Sequence, residues 1–239
     1  MDVAVVIGVG ATAGLGAAIA RKFAAQGLQV VVVGRTAKKI ENVAAEIVDA
    51  GGQATSFVAD ATIADDLERL LDFATGLGSV RAVLANVGNN QPIAFSELSE
   101  AQFEDFWRRC TLSGFLVAKR FIPAMLTTGG SLLFTGASSS MRGKPNFGHF
   151  SAAKAGLRSL AQALAKEYGP QGIHVGHVVV DGVINGEMVK SKYGDYLEGL
   201  GEDGSLEPEA IAEIYWQMHK QPRNAWSFEI DVRPFKERW

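Results

Sequence analysis

The chain has 239 residues, 47% of them hydrophobic, and a formal net charge of −3 at pH 7. This length and apolar content suit one α/β domain with a continuous core. The small negative charge, with lysines and arginines scattered along the chain, excludes the extended basic surface that binds nucleic acid or an anionic membrane.

The cysteine content and the N-terminal segment bear on the compartment. The one cysteine, Cys110, excludes an internal disulfide and favours a reducing compartment. Asp2 stands where a signal peptide has basic residues, and no uncharged apolar run reaches the ~18 residues that a membrane span needs. We therefore expect a soluble, cytoplasmic protein.

Short apolar runs alternate with amphipathic segments along the chain. Such runs are typical of parallel strands buried on both faces, and the amphipathic segments indicate helices between them. The first three strand–helix units are predicted at Val3–Val9 and Gly14–Gln26, Leu28–Val33 and Lys38–Ala50, and Thr55–Ala59 and Ile63–Gly76. The later ones are predicted at Val80–Ala85 and Glu100–Leu126, Ser131–Thr135 and Ser151–Tyr168, and Gly172–Val180 and Glu207–Lys220, with a last strand at Ser227–Val232.

This alternation predicts the fold. Strands that are joined through helices imply right-handed crossovers and a doubly wound parallel β-sheet flanked by helices. We predict an α/β Rossmann fold, with a single domain over residues 1–239. Residues at about 181–206 are irregular and rich in glycine, too many for a simple connection, and are predicted to form a lid over a substrate.

A glycine-rich segment follows the first predicted strand and opens the first helix. The free N–H groups and the dipole of a helix N-terminus favour an anion, and glycines let the backbone approach a pyrophosphate closely. The segment therefore predicts a dinucleotide site formed by Gly10, Thr12, Ala13, Gly14, Leu15 and Gly16.

The Gly-x-x-x-Gly-x-Gly spacing of this segment resembles that of the short-chain dehydrogenase/reductase family. Further matches follow in order, at Asp60 with Ala61, at Asn86-Val87-Gly88, at Lys154 near the start of a long helix, and at Asp181-Gly182-Val183-Ile184. The resemblance implies a nicotinamide dinucleotide cofactor and a small-molecule carbonyl or alcohol substrate. It also implies cofactor contacts at Asp60, Ala61, Asn86, Val87, Gly88, Lys154, Gly182 and Ile184.

The end of the second predicted strand bears on cofactor choice. An acidic residue there would accept hydrogen bonds from the adenosine ribose 2′-OH and would repel a 2′-phosphate. This chain has Arg35 there and no acid. The guanidinium would pair with a phosphate, or else remain a solvated loop cation that stacks on the adenine. We expect NADP(H) to be favoured over NAD(H).

The catalytic positions depart from the pattern of the family that the chain resembles. In that family a tyrosine one helical turn before the lysine carries the proton, with a serine and an asparagine nearby. Here Phe150, Ala137 and Thr111 occupy these three positions, and only Lys154 is kept. A shift of one residue would present Ser138 instead of Ala137. Lys154, as a ribose-binding residue, and Ser138 are therefore the candidate catalytic residues.

Other side chains offer a proton or a contact near these positions. His149 precedes Phe150 on its helix and is expected to be a neutral surface or capping residue. Tyr193 and Tyr196 lie in the predicted lid, where they cover the substrate or bring a phenol onto it. Asp181 stands where the family has proline, and it either orients the turn or faces the carboxamide region.

The remaining histidines and the cysteine do not indicate a metal site. The four histidines lack ligand spacing with carboxylates or with Cys110, so no metal is predicted. Cys110 itself is expected to be a small buried hydrophobe.

Two interpretations of function follow. The first is an NAD(P)-dependent oxidoreductase that acts on an unidentified carbonyl or alcohol by a non-standard proton route, in which Ser138 or a water assists the substrate oxygen. The second is a cofactor-binding sensor or partner subunit without turnover. The predicted lid favours the first. The resemblance also implies a homodimer or homotetramer that assembles through the helices near 100–126 and 151–169.

Overall fold

Seven strands form one parallel sheet in the part of the chain that the computed structural model describes, residues 1–88 and 90–237. The strands are β1 (Asp2–Ile7), β2 (Gln29–Gly34), β3 (Gln53–Val58), β4 (Ser79–Ala85), β5 (Gly130–Thr135), β6 (Ile173–Val180) and β7 (Glu229–Val232). Their spatial order is β3-β2-β1-β4-β5-β6-β7, and every neighbouring pair is parallel.

Helices connect the strands as the sequence pattern predicts. They are α1 (Leu15–Ala25), α2 (Ala37–Asp49), α3 (Ala64–Leu77), α4 (Glu100–Trp107), α5 (Ser113–Met125), α6 (Gly148–Tyr168), α7 (Glu187–Leu200) and α8 (Pro208–His219). Local signals set several starts. Ser99 and Gln102 form a capping box at the start of α4, and Pro208 occupies the first turn of α8.

The sheet is covered on both faces because alternate strand residues face opposite ways. Along β1, Val3, Val5 and Ile7 pack in one apolar cluster with residues of α3, α5 and α6. Ala4 and Val6 pack in another cluster with residues of α1, α2 and α8. The predicted fold class, a doubly wound parallel sheet flanked by helices, is therefore confirmed.

The predicted long helix over 100–126 consists of three consecutive segments. A π-helical turn at Arg108–Leu112 joins α4 to α5, and Pro123 lies in the last turn of α5. π-Helical turns are frequent at functional sites. Here the turn places Cys110 and Thr111 against α6.

The prediction that residues at about 181–206 are irregular is wrong for part of this segment. Residues Glu187–Leu200 form the helix α7. The helix bends at Tyr193, whose backbone has φ −140° and ψ 38°. Gly194 and Gly199 lie within it, and glycine is a poor helix former, so the sequence pattern did not indicate a helix there.

The strand order places a crevice at the carboxyl ends of β1 and β4. The chain winds outward through β2 and β3 on one side of β1 and through β4 to β7 on the other. The connections that follow β1 and β4 therefore lead to opposite sides of the sheet. Open α/β sheets bind ligands in the crevice that forms where the strand order reverses in this way.

Partial burial of His219 predicts that the protein loses stability in acid. Nδ1 of His219 lies 2.7 Å from Ser131 Oγ, and burial lowers the pKa of His219 to about 4. The unfolded chain, with an ordinary histidine pKa of ~6.5, takes up the proton first. Stability is therefore lost as the pH falls from ~6.5 towards 4, by about 1–2 kcal/mol between pH 7 and pH 5. Urea unfolding at the two pH values should show this loss, and His219→Gln should reduce it.

A matched control places a histidine on the exposed side of the same helix. Gln217 is exposed on α8 and its amide donates to Glu213, so Gln217→His adds a histidine with a carboxylate neighbour instead of burial. It should not add to the loss of unfolding free energy between pH 7 and pH 5. An equal pH dependence in wild type and His219→Gln would contradict the prediction.

Candidate active site

A cavity of about 590 Å³ opens at the carboxyl ends of the central strands, bordered by α1, α6 and α7. The predicted site residues in its wall are Gly10, Gly14, Leu15, Gly16, Asn86, Val87, Gly88, Ala137, Phe150, Lys154, Gly182 and Ile184. Wall residues that the motifs did not single out include Gly8, Asn90, Pro92, Thr135, Gly136, Phe147, Glu187 and Val189. Among the described residues, the wall does not include Thr12, Ala13, Arg35, Asp60, Ala61, Thr111 or Ser138.

The backbone conformation after β1 depends on Gly8, which precedes the glycine-rich segment that begins at Gly10. Gly8 has φ +93°, and a Cβ there would lie 2.3 Å from the backbone oxygen of Asn86. A Cβ at Gly16 would lie 3.0 Å from the Gly8 carbonyl oxygen, whereas one at Gly10 would meet no heavy atom within 4 Å. Gly8 and Gly16 therefore allow close packing of backbone, and Gly10 leaves open the space that a phosphate needs.

The N-terminus of α1 borders the cavity. Gly14 is its N-cap residue, and no side chain caps the helix. The first N–H groups and the helix dipole therefore suit an anion. Arg21, from α1 itself, donates to the Thr12 carbonyl at 2.8 Å and so holds the loop. The Ala13 carbonyl lies beside Gly186 at the start of α7.

Asn86 joins the ends of three strands. Its backbone N–H donates to Ile7 O at 2.9 Å, and its Nδ2 donates to Gly8 O at 3.3 Å. Its Oδ1 accepts from Thr135 Oγ1 at 2.9 Å, and the Tyr215 hydroxyl lies 2.6 Å from that same Oγ1. Burial raises the pKa of Tyr215, so its hydroxyl stays protonated. The predicted Asn86 is thus the centre of a network that includes two residues from outside the motif.

Lys154 lies in the cavity wall and is 3% exposed. Its Nζ donates to Thr135 O at 2.8 Å and to Val87 O at 3.3 Å. Burial lowers the pKa of the ammonium. Gly88, with φ +126°, allows this packing, because a Cβ there would lie 3.3 Å from Nζ and 3.0 Å from Cys110 Sγ. Cys110 is buried, and burial raises the pKa of its thiol, in keeping with a small core residue.

The three residues predicted to depart from the family pattern fall in different places. Phe150 and Ala137 line the cavity. Phe150 is 5% exposed, and its ring centroid lies 5.8 Å from Lys154 Nζ. The Thr111 hydroxyl donates to the Ala153 carbonyl at 2.7 Å and so ties the π-helical turn to α6. Neither cavity-lining residue carries a hydroxyl.

Ser138 begins a short 3₁₀ turn after β5. Its carbonyl accepts the N–H groups of Met141 and Arg142. Ser140 Oγ accepts the Ala137 N–H at 3.1 Å and lies 3.4 Å from His177 Nε2. These contacts hold the turn with Ala137, rather than Ser138, beside the cavity.

His149 is not at the surface, contrary to the prediction. It is 1% exposed, and its ring centroid lies 4.2 Å from that of Phe106. Neither ring nitrogen has a hydrogen-bond partner within the described residues. The reason is that the first turn of α6 packs against α4, which the sequence pattern did not show.

His177 belongs to a buried network on β6. Its Nδ1 lies 2.9 Å from Glu229 Oε2, and Glu229 accepts two hydrogen bonds from Arg158 at 2.6 and 2.9 Å. Burial lowers the pKa of His177 to about 4, so the ring is neutral near pH 7. The bonds from Arg158 lower the pKa of Glu229, which keeps it ionised. The network joins α6, β6 and β7.

Arg35 and Asp60 lie together beyond the ends of β2 and β3. Their closest N–O distance is 3.7 Å, and the Arg35 side chain is 64% exposed. Asp60 Oδ1 accepts from the N–H and the hydroxyl of Thr62, and the Asp60 N–H donates to Asp66. The buried Ala61 follows. Asp60 thus shapes its own loop and leaves Arg35 facing solvent.

Asp181 orients two chain segments. Both of its carboxylate oxygens accept from Arg142 Nη2, at 3.1 and 2.9 Å, and Arg233 Nη2 lies 3.6 Å away. Pro234 packs against Gly182. Of the two open roles for Asp181, orientation of the turn is the one that these contacts support, and the C-terminal segment packs on its own chain.

α7 forms one side of the cavity. Tyr193 and Tyr196 both line it, and they are 52% and 58% exposed. The helix begins beside Ala13, so the predicted lid region and the glycine-rich loop are in contact.

Two kinds of feature are absent from the residues that the structure describes. No three His, Cys, Asp or Glu side chains are grouped as metal ligands would be. No described helix combines the length and the apolar character needed to span a membrane.

Comparisons with known proteins agree with this geometry. The model of the short chain dehydrogenase family matches residues 3–196. YuxG, an uncharacterised oxidoreductase of Bacillus subtilis, is 29% identical over 211 residues, which cover 86% of this chain and 30% of that protein. This chain therefore spans less than a third of the length of that relative.

Two solved structures extend the comparison. A short-chain dehydrogenase from Rhodopseudomonas palustris is 34% identical, with a TM-score of 0.84 and 98% of each chain covered. A 7α-hydroxysteroid dehydrogenase, complexed with NADH and 7-oxo glycochenodeoxycholic acid, is 26% identical, with a TM-score of 0.88 over 98% of this chain and 93% of that one. The family match covers well over half of the chain, and the fold agrees along nearly all of it, so this chain belongs to the short-chain dehydrogenase family.

Proposed function

We propose that this chain is an NAD(P)-dependent oxidoreductase that interconverts a carbonyl and an alcohol. One observation carries the proposal: the uncapped N-terminus of α1 and the buried amine of Lys154 border the same cavity. An anion-binding helix end and a hydrogen-bonding cation in one cleft suit the pyrophosphate and the ribose of a dinucleotide. When bound, the nicotinamide supplies or accepts the hydride.

The residues of the wall divide between the parts of such a cofactor. Gly10, Gly14 and the first turn of α1 would hold the pyrophosphate. Lys154 would hold the nicotinamide ribose, with Gly182 and Ile184 nearby. Its 3.3 Å bond to the Val87 carbonyl is the longer of its two bonds and the easier to exchange for a ribose hydroxyl. Asp60, Ala61 and Arg35 would lie towards the adenosine.

The charge around the end of β2 favours NADP(H). Arg35, Lys38 and Lys39 are exposed there, and no acid occupies the position after β2. Asp60 is 3.7 Å from Arg35, but such an exposed pair is weak and a phosphate dianion would compete for the guanidinium. The related 7α-hydroxysteroid dehydrogenase binds NADH, so the expected preference for NADP(H) rests on this chain's own residues and not on that relative.

We expect Arg35→Ala to weaken NADPH binding about 10- to 100-fold and to leave NADH binding unchanged, because a charge-assisted hydrogen bond contributes about 1.5–3 kcal/mol. Fluorescence titration of both cofactors against both proteins measures this. Arg69→Ala is the matched control, because the Arg69 side chain is similarly exposed, at 62%, but pairs with Asp66 and not with Asp60. Tighter binding of NADH than NADPH to the wild type would refute the preference.

The substrate end of the cavity is mostly apolar. Pro92, Phe147, Phe150, Val183 and Val189 line it, with the two tyrosines of α7. Lys154 and the exposed Glu187 are its charged wall residues among those described. Such a wall suits an uncharged, largely apolar carbonyl or alcohol. We infer that α7 closes over it as a lid, with Tyr193 and Tyr196 as apolar cover.

We further propose that the site works without the tyrosine, serine and asparagine of its family. Phe150, Ala137 and Thr111 occupy those positions. Ser138 is the second candidate for assisting the substrate oxygen, and to do so it would have to turn towards the cavity. General acid–base catalysis contributes roughly 10²–10⁴-fold, so loss of the phenol predicts slow turnover unless another group supplies the proton.

The outer faces of α4 and α5 support a homodimer or homotetramer. Phe103, Trp107 and Phe115 are each more than 40% exposed there. Large apolar side chains clustered on one surface mark contact sites. Sedimentation equilibrium would measure the mass in solution. A monomer at micromolar concentration would refute the proposed homo-oligomer.

The function itself is tested by two measurements on the wild-type protein. NADPH and NADH are titrated by fluorescence, and apolar ketones, aldehydes and secondary alcohols are then screened for absorbance change at the nicotinamide band. Binding followed by slow turnover supports the oxidoreductase. Absence of binding would refute the function, and binding without turnover on any substrate would indicate the sensor or partner subunit instead.

A further inference from the structure

Lys154 has one hydrogen-bond donor to spare. A lysine ammonium carries three N–H bonds. Two are directed to the carbonyls of Thr135 and Val87. Within the described residues the third has no protein acceptor, and Nζ lies beside the Phe150 ring in the cavity wall. The position that a phenol would occupy in other family members is therefore next to a proton-bearing nitrogen.

Lys154 is also an isolated cation. No carboxylate pairs with it in the described part of the chain, and the titratable groups that influence it are Cys110 on the π-helical turn and His177 on β6. Burial raises the pKa of the Cys110 thiol and lowers that of His177, so both are neutral near pH 7. Burial in turn lowers the pKa of Lys154, which makes its ammonium a better acid than a surface lysine.

The other proton donors of the wall are engaged or distant. Thr135 Oγ1 is shared between Asn86 and Tyr215. The amide of Asn86 donates to the Gly8 carbonyl. Tyr193 and Tyr196 are more than half exposed on α7, and Ser138 is outside the wall.

We propose that Lys154 itself donates the proton to the substrate oxygen in the reduction, in place of the phenol that Phe150 cannot supply. This inference rests on the proposed function. The hydride, which NAD(P)H would supply as its C4–H bond breaks, would add to the carbonyl carbon, and the π pair of the C=O bond would move to the oxygen. An O–H bond forms as one Nζ–H bond of Lys154 breaks. The neutral amine then regains a proton from water, and the reverse sequence serves the oxidation.

Lys154→Arg separates this role from ribose binding. Arginine keeps a hydrogen-bonding cation, but its pKa above ~12 prevents proton donation near neutral pH. We expect NADPH affinity to stay within about 5-fold of the wild type by fluorescence titration, while kcat falls by about 10²-fold or more. Phe150→Tyr added to Lys154→Arg should recover kcat, since the phenol then supplies the proton.

A second readout does not depend on turnover. Competitive acylation of the wild-type protein over a range of pH, with peptide mapping by mass spectrometry, measures the pKa of each lysine amine. The pKa of Lys154 should lie below the ordinary lysine value of ~10.4, and NADPH should protect Lys154. A pKa at or above that ordinary value would overturn the proposal, even if Lys154→Arg folds poorly or binds no cofactor.

The kinetic outcomes are equally decisive. Wild-type kcat in Lys154→Arg, with cofactor bound, would overturn the role of Lys154. So would a double variant that binds NADPH and stays inactive. By contrast, a wild-type protein that binds no dinucleotide, or binds it without turnover, refutes the proposed function before Lys154 is compared.

Discussion

Phe150→Tyr is expected to raise kcat by about 100-fold and to leave NADPH affinity unchanged. The substitution adds a hydroxyl to a ring that already lines the cavity, 5.8 Å from the Lys154 ammonium at the ring centroid. A nearby cation stabilises phenolate and lowers the phenol pKa towards the working range. A positioned acid contributes roughly 10²–10⁴-fold; the lower end is expected because the lysine already provides a slower route.

Phe147→Tyr is the matched control for this gain. Phe147 also lines the cavity, but it precedes the first turn of α6. A hydroxyl there should not raise kcat, although it changes the polarity of the cavity in the same way. An equal gain from both substitutions would mean that polarity, rather than a placed acid, limits the rate. No gain from Phe150→Tyr with NADPH bound would contradict the assignment of Phe150 to the tyrosine position.

Gly8→Ala is expected to destabilise the protein by about 2–4 kcal/mol. The residue has φ +93°, and its new Cβ would lie 2.3 Å from the Asn86 backbone oxygen. Left-handed backbone costs a non-glycine residue roughly 1–3 kcal/mol, and an overpacked contact costs a similar amount. Urea unfolding should show a lower midpoint, and the ends of β1 and β4 should separate enough to lose dinucleotide binding.

Gly10→Ala separates stability from binding. A Cβ at Gly10 would meet no protein atom within 4 Å, and Gly10 lines the cavity. We expect an unfolding free energy within about 0.5 kcal/mol of the wild type, because surface changes free of contacts are usually this small. NADPH affinity should still fall, since the methyl group occupies the phosphate space. Unchanged affinity in Gly10→Ala would show that the pyrophosphate binds elsewhere.

The strands and most helices could be predicted from the sequence because each depends on a local pattern. Continuous apolar runs require burial on both faces, and the amphipathic segments between them cover the sheet. The glycine-rich loop could also be predicted from the sequence, because consecutive residues form the geometry that suits a phosphate. Gly8 was missed because the motif begins at Gly10, although a glycine at the end of the first apolar run was the available signal.

The segment at 187–200 shows a limit of such patterns. Its glycines and mixed charges weaken helical periodicity, so no local pattern indicated the helix. His149 shows another limit. Its burial comes from packing of α6 on α4, two helices that are distant in sequence and meet only in the folded chain.

The order of strands and helices, the glycine-rich loop and the prediction that Phe150 stands in place of a phenol follow from the sequence by itself, because each concerns residue type and local spacing. Only the tertiary structure decided which side chains reach the cavity. Ala137 lies there and Ser138 does not, because Ser140 contacts His177 from 37 residues away. The free donor of Lys154 was likewise decided by carbonyls on the loops after β4 and at the end of β5. Contacts between distant segments set such directions, and no local pattern encodes them.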